Sequence, residues 1–549
     1  HGFGCGDGLE RECMIQKHEL YTPYGEEVLE QVEIGNSAAV LNEYPRPQMR
    51  REDRWQSLNG LWEYAIDQAE PGDFDPLRQA PIESASIPGP IARFRDFAPD
   101  GQILVPFAPE SLLSGVGRQL QPDERLWYKR EFTLAHSSER VFLHAGAIDQ
   151  VCSLWVDNSY IGSHRDGYLP FSLEITDALK PDRSVHQLTI VVRDPSDQGQ
   201  LPWGKQALER GGIWYTATSG IWQSIWLEFL PTCFVREVHV EAVWPEGSFD
   251  VAYTLDAEEP GAEAVLRFTT EGKNVAEAKV RPGSRTRIQI PEPRAWSPEQ
   301  PFLYNWELLL YSVSGTLLDR VEGYAGLRSV ALGSDAKGEP CLLLNGEVCR
   351  QAGVLDQGYW SDGLYTAPTD QALIDDILLV KSLGFNLIRK HIKIEPQRWY
   401  YHCDRLGILV WQDVVNGGRG YKAPVTQWLP FAGLKLDDKR YGLFGRGGGD
   451  REERLAAARG RSAQKAIIRE TYEALRNTVS IVLWTVFNEG WGQFDAKQVA
   501  IELKTLDPTR LVDHASGWHD QGGPDLQSLH IYFKQFKPRR DPLGRPLAL

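Results

Sequence analysis

The apolar run VSIVLWTVF (479–487) ends on Asn488-Glu489 and then breaks at Gly490. A carboxylate stripped of water is costly unless paired, so a Glu at the tip of a buried strand leaves for solvent, joins an ion pair or handles protons. Similar endings recur along the chain. FNLIRKH (385–391) closes on Arg389 and His391, two apart and so on one side of a strand. ILVWQD (408–413) closes on Trp411 and Asp413, again of one parity, LVDHASG (511–517) carries His514 and precedes Trp518, and LQSLHIYF (526–533) ends with His530 and Tyr532. Each has a plain structural reading: Arg389 with Asp413 as a buried ion pair, His530 as a satisfied core histidine, Trp411 as packing. Together they describe a polar, aromatic-lined cup around a carboxyl, and such a cup suits a sugar.

The elements that must hold this cup alternate. After a strand over 348–354, TDQALIDDILLVKSLG (369–384) predicts a helix, with Thr369 as cap, a stripe of Leu373, Ile374, Ile377 and Leu378, and Gly384 at its end. EPQRWYYHCDRLG (395–407) predicts another, with Pro396 in its first turn, and further helices are expected around 462–477 and over 495–506. Strands at 385–391, 408–413, 480–489, 511–517 and 526–533, with the start of a seventh at 545–549, fit a parallel (β/α)8 TIM barrel cut short near that seventh strand. A doubly wound sheet would carry a Gly-rich turn after its first strand, and AGVLDQGYW is not one. The cluster GRGGGD (445–450) lacks the Gly-Lys-Ser/Thr ending of a phosphate loop and is expected to be a turn.

Upstream the period is that of strands. Residues 1–40 show no strong period and are expected to form an irregular tail. Residues 41–232 carry short strands and turn signals, such as Asp157-Asn158-Ser159 between two strands, and predict a jelly-roll β-sandwich. Residues 233–333 alternate cleanly in FVREVHVEAVW (234–244) and predict a smaller immunoglobulin-like β-sandwich, leaving 334–549 to the barrel.

Bulk composition narrows the partners. With a net charge of −16 and no Lys/Arg stripe, nucleic acid is not expected, nor is a membrane, since no apolar stretch is long enough to cross one. The seven cysteines are scattered and contain no C-x-x-C pair, which argues against a zinc knuckle and a disulfide framework. A cytoplasmic setting is expected, although the chain starts at His1 and any export signal upstream is out of view. No metal and no cofactor are expected, and a homo-oligomer is compatible with everything above.

From about residue 45 onward the chain resembles glycoside hydrolase family 2, the group of β-galactosidases, β-glucuronidases and β-mannosidases. PRPQMRREDRWQSLNGLWEYAI (45–66) resembles the entry to its sugar-binding jelly roll, GIWYTATSGIWQSIWLE (212–228) the close of that domain, and GFNLIRKH, DRLGILVWQD and VSIVLWTVFNE its barrel strands two to four. The resemblance implies a retaining exo-β-glycosidase, first of all a β-galactosidase, with Glu489 as general acid/base and Asn488 on the 2-hydroxyl of a small-molecule or oligosaccharide substrate. The strand ends themselves make Arg389, His391, Asp413, Trp518, His530 and Tyr532 the expected substrate contacts. His391 arrives one position earlier than the Ser-His pair of familiar members and is followed by Ile392-Lys393. The family's nucleophilic Glu is expected just beyond Leu549. A catalytically silent carbohydrate-binding protein on the same scaffold is the alternative.

Overall fold

The computed structural model describes residues 19–68, 98–136, 139–199, 201–418, 421, 423–439, 451–532, 535–536 and 540–549. Cys5, Cys13, the glycine cluster at 445–450 and Phe533 lie outside them. Among the described residues Cys152, Cys233, Cys341, Cys349 and Cys403 are free thiols.

Alternating strands build the first sandwich. Gly60–Gln68 and His186–Arg193 both pair antiparallel with Glu124–Phe132, in a six-stranded sheet completed by Gly101–Val105, Val151–Val156 and Ser159–Arg165. A four-stranded sheet of Trp55–Ser57, Ile225–Leu230, Arg140–Ala145 and Phe171–Glu174 supplies the other layer. Between them lie Trp62, Leu126, Tyr128, Leu143, Leu154, Ile190 and Leu227, all buried, giving the jelly-roll core. The immunoglobulin-like sandwich sets Val235–Val243, Ser248–Leu255 and Thr286–Gln289 against a four-stranded sheet that includes Glu263–Thr270, Tyr304–Tyr311 and Leu317–Ala325. Phe249, Phe268, Tyr304 and Trp306 fill its core.

The barrel portion has five parallel strands adjacent in chain order: Gly353–Asp356, Leu387–Lys390, Leu409–Asp413, Ile481–Thr485 and Leu511–Asp513. Gln527–Ser528 pairs in parallel with Leu547–Ala548, so a sixth and a seventh strand follow. Helices Asp370–Ser382, Gln397–Leu406, Arg451–Leu475 and Ala496–Leu506 make the crossovers. Thr369 caps the first through Ala372 N (3.1 Å), and Gly407 ends the second in the left-handed region, φ +73. Asp404 on the second helix accepts from Val479 N (3.2 Å) and Ser480 N (2.6 Å) and from the Tyr324 hydroxyl (2.8 Å), tying the start of the fourth strand to the second sandwich. Arg328 adds bonds to the carbonyls of Val479 and Ile481, both 2.8 Å.

Four expectations change. Part of the supposed irregular tail is a helix, Pro23–Glu33, because Thr22 caps it, Pro23 opens it, and Val28, Leu29 and Val32 find a partner surface in Leu104, Phe107 and Leu113. Asp362 of the barrel holds its start through Thr22 N (2.8 Å) and Thr22 Oγ1 (2.7 Å). The supposed strand at 348–354 divides between Glu347–Val348 and Gly353–Asp356, which belong to different sheets. The helix expected around 462–477 starts earlier, at Arg451, and the sixth strand shrinks to Gln527–Ser528.

Candidate active site

Register carries the side chains to one end of the sheet. Strands two and three pair Arg389 opposite Trp411, and strands three and four pair Asp413 opposite Thr485. Beyond Thr485 the fourth and fifth strands stay joined: Val486 N donates to Asp513 O (2.8 Å), Ser516 N to Phe487 O (2.8 Å), and Glu489 N to Ser516 O (2.9 Å). Those bonds hold Glu489 in the left-handed region, φ +49, a conformation a non-glycine residue adopts at a cost. Gly490 follows at φ +75, and the turn closes through Trp491 N to Asn488 O (2.8 Å). This geometry explains why a buried strand breaks just after its carboxylate.

Seven of the sequence-predicted residues converge in one hydrogen-bonded cluster. Asp413, fully buried, accepts from Arg389 Nε (2.9 Å) and Nη2 (3.0 Å) and from His391 Nδ1 (2.7 Å). Arg389 Nη2 also donates to Asn488 Oδ1 (2.9 Å), and its Nη1 approaches His530 Nε2 at 3.3 Å. Arginine only donates, so Nε2 of His530 is an acceptor and its Nδ1–H points at Glu489 Oε1, 2.8 Å away. The Tyr532 hydroxyl donates to the same oxygen at 2.7 Å. Gly517 makes room for this ring: a Cβ there would fall 2.4 Å from His530 Cγ. The eighth residue, Trp518, stands edge-on to Tyr532 and Phe431, with ring centroids 6.4 and 5.6 Å apart. Trp518, His530 and Tyr532 line a cleft of about 660 Å³ together with Phe431, Leu434 and Leu529.

The protonation pattern follows. Burial pushes the Asp413 carboxyl up, but the Arg389 charge and the hydrogen bonds it receives outweigh this and leave it below its ordinary value. Burial lowers His391 more than Asp413 raises it, so His391 is neutral near pH 7 and donates from Nδ1. For Glu489 burial again works upward, while the hydrogen bonds from His530 and Tyr532 bring the net below the ordinary Glu value. No described arginine or lysine sits in ion-pair distance of it. Among the described residues no cluster of His, Cys, Asp or Glu is suited to hold a metal ion.

Two strand-end residues do not join. Trp411 donates to Gln351 Oε1 (2.6 Å) and packs, half-buried, against the core, and His514 turns toward Asp520 (2.9 Å) and the amide of Gln521 (2.9 Å). Sequence reasoning missed Lys205, Trp214, Tyr421 and Trp491, which crowd the same end from the jelly roll and the barrel loops. Nothing local in LPWGKQ marks it as facing a barrel.

Residues 234–328 match the model described as glycosyl hydrolases family 2, and residues 365–538 the model for that family's TIM barrel domain. The chain is 24% identical over 494 residues to a beta-glucuronidase of Paenibacillus borealis, covering 85% of this chain and 74% of the relative. It is 26% identical over 404 residues to a putative beta-glucuronidase of Formosa agariphila, covering 71% of this chain and 34% of the relative. It is 23% identical over 508 residues to a beta-galactosidase of Vibrio vulnificus, covering 86% of this chain and 43% of the relative. In fold it is similar to the β-glucuronidase of Ruminococcus gnavus in complex with D-glucuronic acid, with a TM-score of 0.62, 19% identity, and 85% and 73% of the two chains covered. The β-D-glucuronidase of Dictyoglomus thermophilum gives a TM-score of 0.61 at 19% identity, with 85% of this chain and 73% of that one covered. Among the described residues no helix is long and apolar enough to cross a membrane. With both family models matched in order, and with the two sandwiches and the parallel barrel strands arranged as above, the chain belongs to glycoside hydrolase family 2.

Proposed function

We propose that the protein carrying this chain is a retaining exo-β-glycosidase and that Glu489 is its general acid/base. The carrying observation is the setting of that carboxyl: on the tip of the fourth barrel strand, out of ion-pair reach of any described arginine or lysine, and held by His530 and Tyr532, which also line a cleft of sugar-sized volume. Both donors bind the same oxygen, Oε1. Oε2 is thereby left to meet a glycosidic oxygen. Asn488 has its Oδ1 engaged by Arg389, while no described residue accepts from its Nδ2. An amide fixed in that way presents two N–H donors to a sugar hydroxyl, in keeping with a contact to the 2-OH.

A general acid must keep its proton near neutral pH, yet the hydrogen bonds it accepts from His530 and Tyr532 hold this carboxyl low. A retaining mechanism needs a second, ionised carboxylate about 5–5.5 Å away. Its repulsion raises the acid's pKa until the glycosyl–enzyme bond consumes the charge; with the charge gone, the same group becomes the base that activates water. We place this nucleophile on chain that continues from the strand Leu547–Ala548, which pairs with Gln527–Ser528. The substrate is a terminal β-linked hexose. Galactosides are the first class to try, and the names of the relatives add glucuronides.

The test is turnover of aryl β-glycosides whose leaving groups span a range of acidity. Glu489→Gln is expected to lower kcat/KM by about 10²–10⁴ on poor leaving groups and far less on activated ones. Unchanged turnover across the series removes Glu489 from the mechanism.

A further inference from the structure

One wall of the cleft hangs on a single imidazole. After the third barrel strand the chain makes two helical turns, Pro424–Trp428 and Leu429–Phe431, which Gly433 ends at φ +78, and residues 434–437 follow without helix or strand. Phe431 and Leu434 of this segment line the cleft beside Trp518 and Tyr532. Its apolar side chains are poorly covered, with Trp428 66% and Leu434 56% exposed, so burial supplies little of what holds the segment in place.

Hydrogen bonds supply the rest, and two of them converge on His519, which is only 2% exposed. Leu436 N donates to His519 Nδ1 (3.2 Å), and His519 Nε2 lies 2.8 Å from Val425 O. A carbonyl only accepts, so Nε2 carries the hydrogen and Nδ1 the lone pair, and one neutral tautomer serves both ends of the segment. Burial holds the ring below its ordinary pKa, which keeps that neutral form near pH 7, although the Val425 carbonyl and Asp438 pull the other way. The backbone of His519 is in the left-handed region, φ +49, where a non-glycine residue sits at a cost. A glycine would suit the turn better, so what the position gains from histidine is the ring. Gln521 Nε2 donates to Leu436 O (2.8 Å) and Lys435 pairs with Asp520 (3.1 Å), which completes the grip on the cleft side. The far end has its own anchor, Asp438, which accepts from Gln493 Nε2 and Ala496 N, both at 2.9 Å.

We propose that His519 is a positioning residue: it latches residues 425–436 as a wall of the cleft and acts on substrate binding through Phe431 and Leu434, not on proton transfer. The proposal rests on the reading that this cleft holds the glycoside beside Glu489. The proton donor is held independently, by the hydrogen bonds from His530 and Tyr532, and Phe431 meets Tyr532 only edge-on, with centroids 6.4 Å apart. Asp438 keeps the segment attached when the ring is taken away.

The test removes the ring and spares the turn. His519→Gly accepts the φ of that position and leaves a space in the shape of an imidazole. In the full-length protein it is expected to raise KM for aryl β-glycosides about tenfold, as the loss of two hydrogen bonds implies, with kcat within about threefold of the parent's. Added imidazole should bring KM back down, a rescue that a general loss of stability would not show. His519→Asn and His519→Gln each keep one bond, to the amide of Leu436 and to the carbonyl of Val425 respectively, and should fall in between. Trypsin reads the latch without any turnover: cleavage after Lys435 is expected to be about tenfold faster in His519→Gly and to be slowed by imidazole. Unchanged cleavage there overturns the latch. Faster cleavage with an unaltered KM overturns the wall, and so does a loss that falls on kcat in place of KM. A parent that hydrolyses no aryl β-glycoside sinks the glycosidase reading instead, and the latch then stands or falls on the trypsin result.

Discussion

Asp413 is the hub on which the cluster turns. It receives both arms of Arg389 and the ring of His391, and every one of these partners would be left with an unmet donor without it. Asp413→Ala is therefore expected to destabilise the protein by about 3–5 kcal/mol, as for breaking other buried ion pairs, read by urea denaturation at pH 7. Its folded pKa is depressed, so the contribution is present above the unfolded carboxyl value of about 3.9 and is lost as pH falls through the lower folded value. The parent and the variant should thus converge in stability on acidification. At this scale much of the cup was legible. Strand parity is a local rule, and it correctly grouped Arg389 with His391 and His530 with Tyr532. It failed for His514, which a competing turn at Asp520, Gln521 and Gly523 drew away, and for Trp411, which the core claimed.

Elements carry a different titration. In the jelly roll, Asp166 lies fully buried between two strands; burial raises its carboxyl to about 7, while the amides of Tyr168 and Leu169 pull it back. Glu110, at about 7, and Asp194, at about 6, are raised for the same reason. A raised folded value means that the native state holds the proton more tightly than the unfolded chain. This stability is full below about pH 4 and is lost as pH climbs through 7. Asp166→Asn cannot ionise, so its stability relative to the parent should rise by on the order of 2 kcal/mol between pH 5 and pH 8, measured by paired denaturation curves. Element type was readable wherever a period ran long, as in the helix Asp370–Ser382. It was not readable for Pro23–Glu33, whose short apolar stripe gains meaning only from Leu104, Phe107 and Leu113, residues distant in sequence.

At the scale of the whole molecule, the three folded parts meet around the barrel's strand ends and helices. The core of the barrel includes Trp222 and Tyr168 of the jelly roll beside Tyr365 and Trp399. Trp296, from the end of the second sandwich, donates through Nε1 to Asp404 O at 2.7 Å. Such contacts depend on how distant segments dock, which periodicity does not encode. Gly204→Ala tests the docking of the buried connection at residues 201–207, where Trp203 N donates to Asn416 O (3.1 Å): the Cβ has no room and the φ is unfavourable for alanine. The variant is expected to lose about 1–3 kcal/mol of stability and to lower kcat/KM, with a circular dichroism spectrum like the parent's. A variant as stable and active as the parent would show that this connection does not shape the cup. The bond from Trp203 to Asn416 has an evolutionary corollary. Side chains on a buried connection encoded far upstream of Glu489 can change while the residues that hold that carboxyl are inherited unaltered.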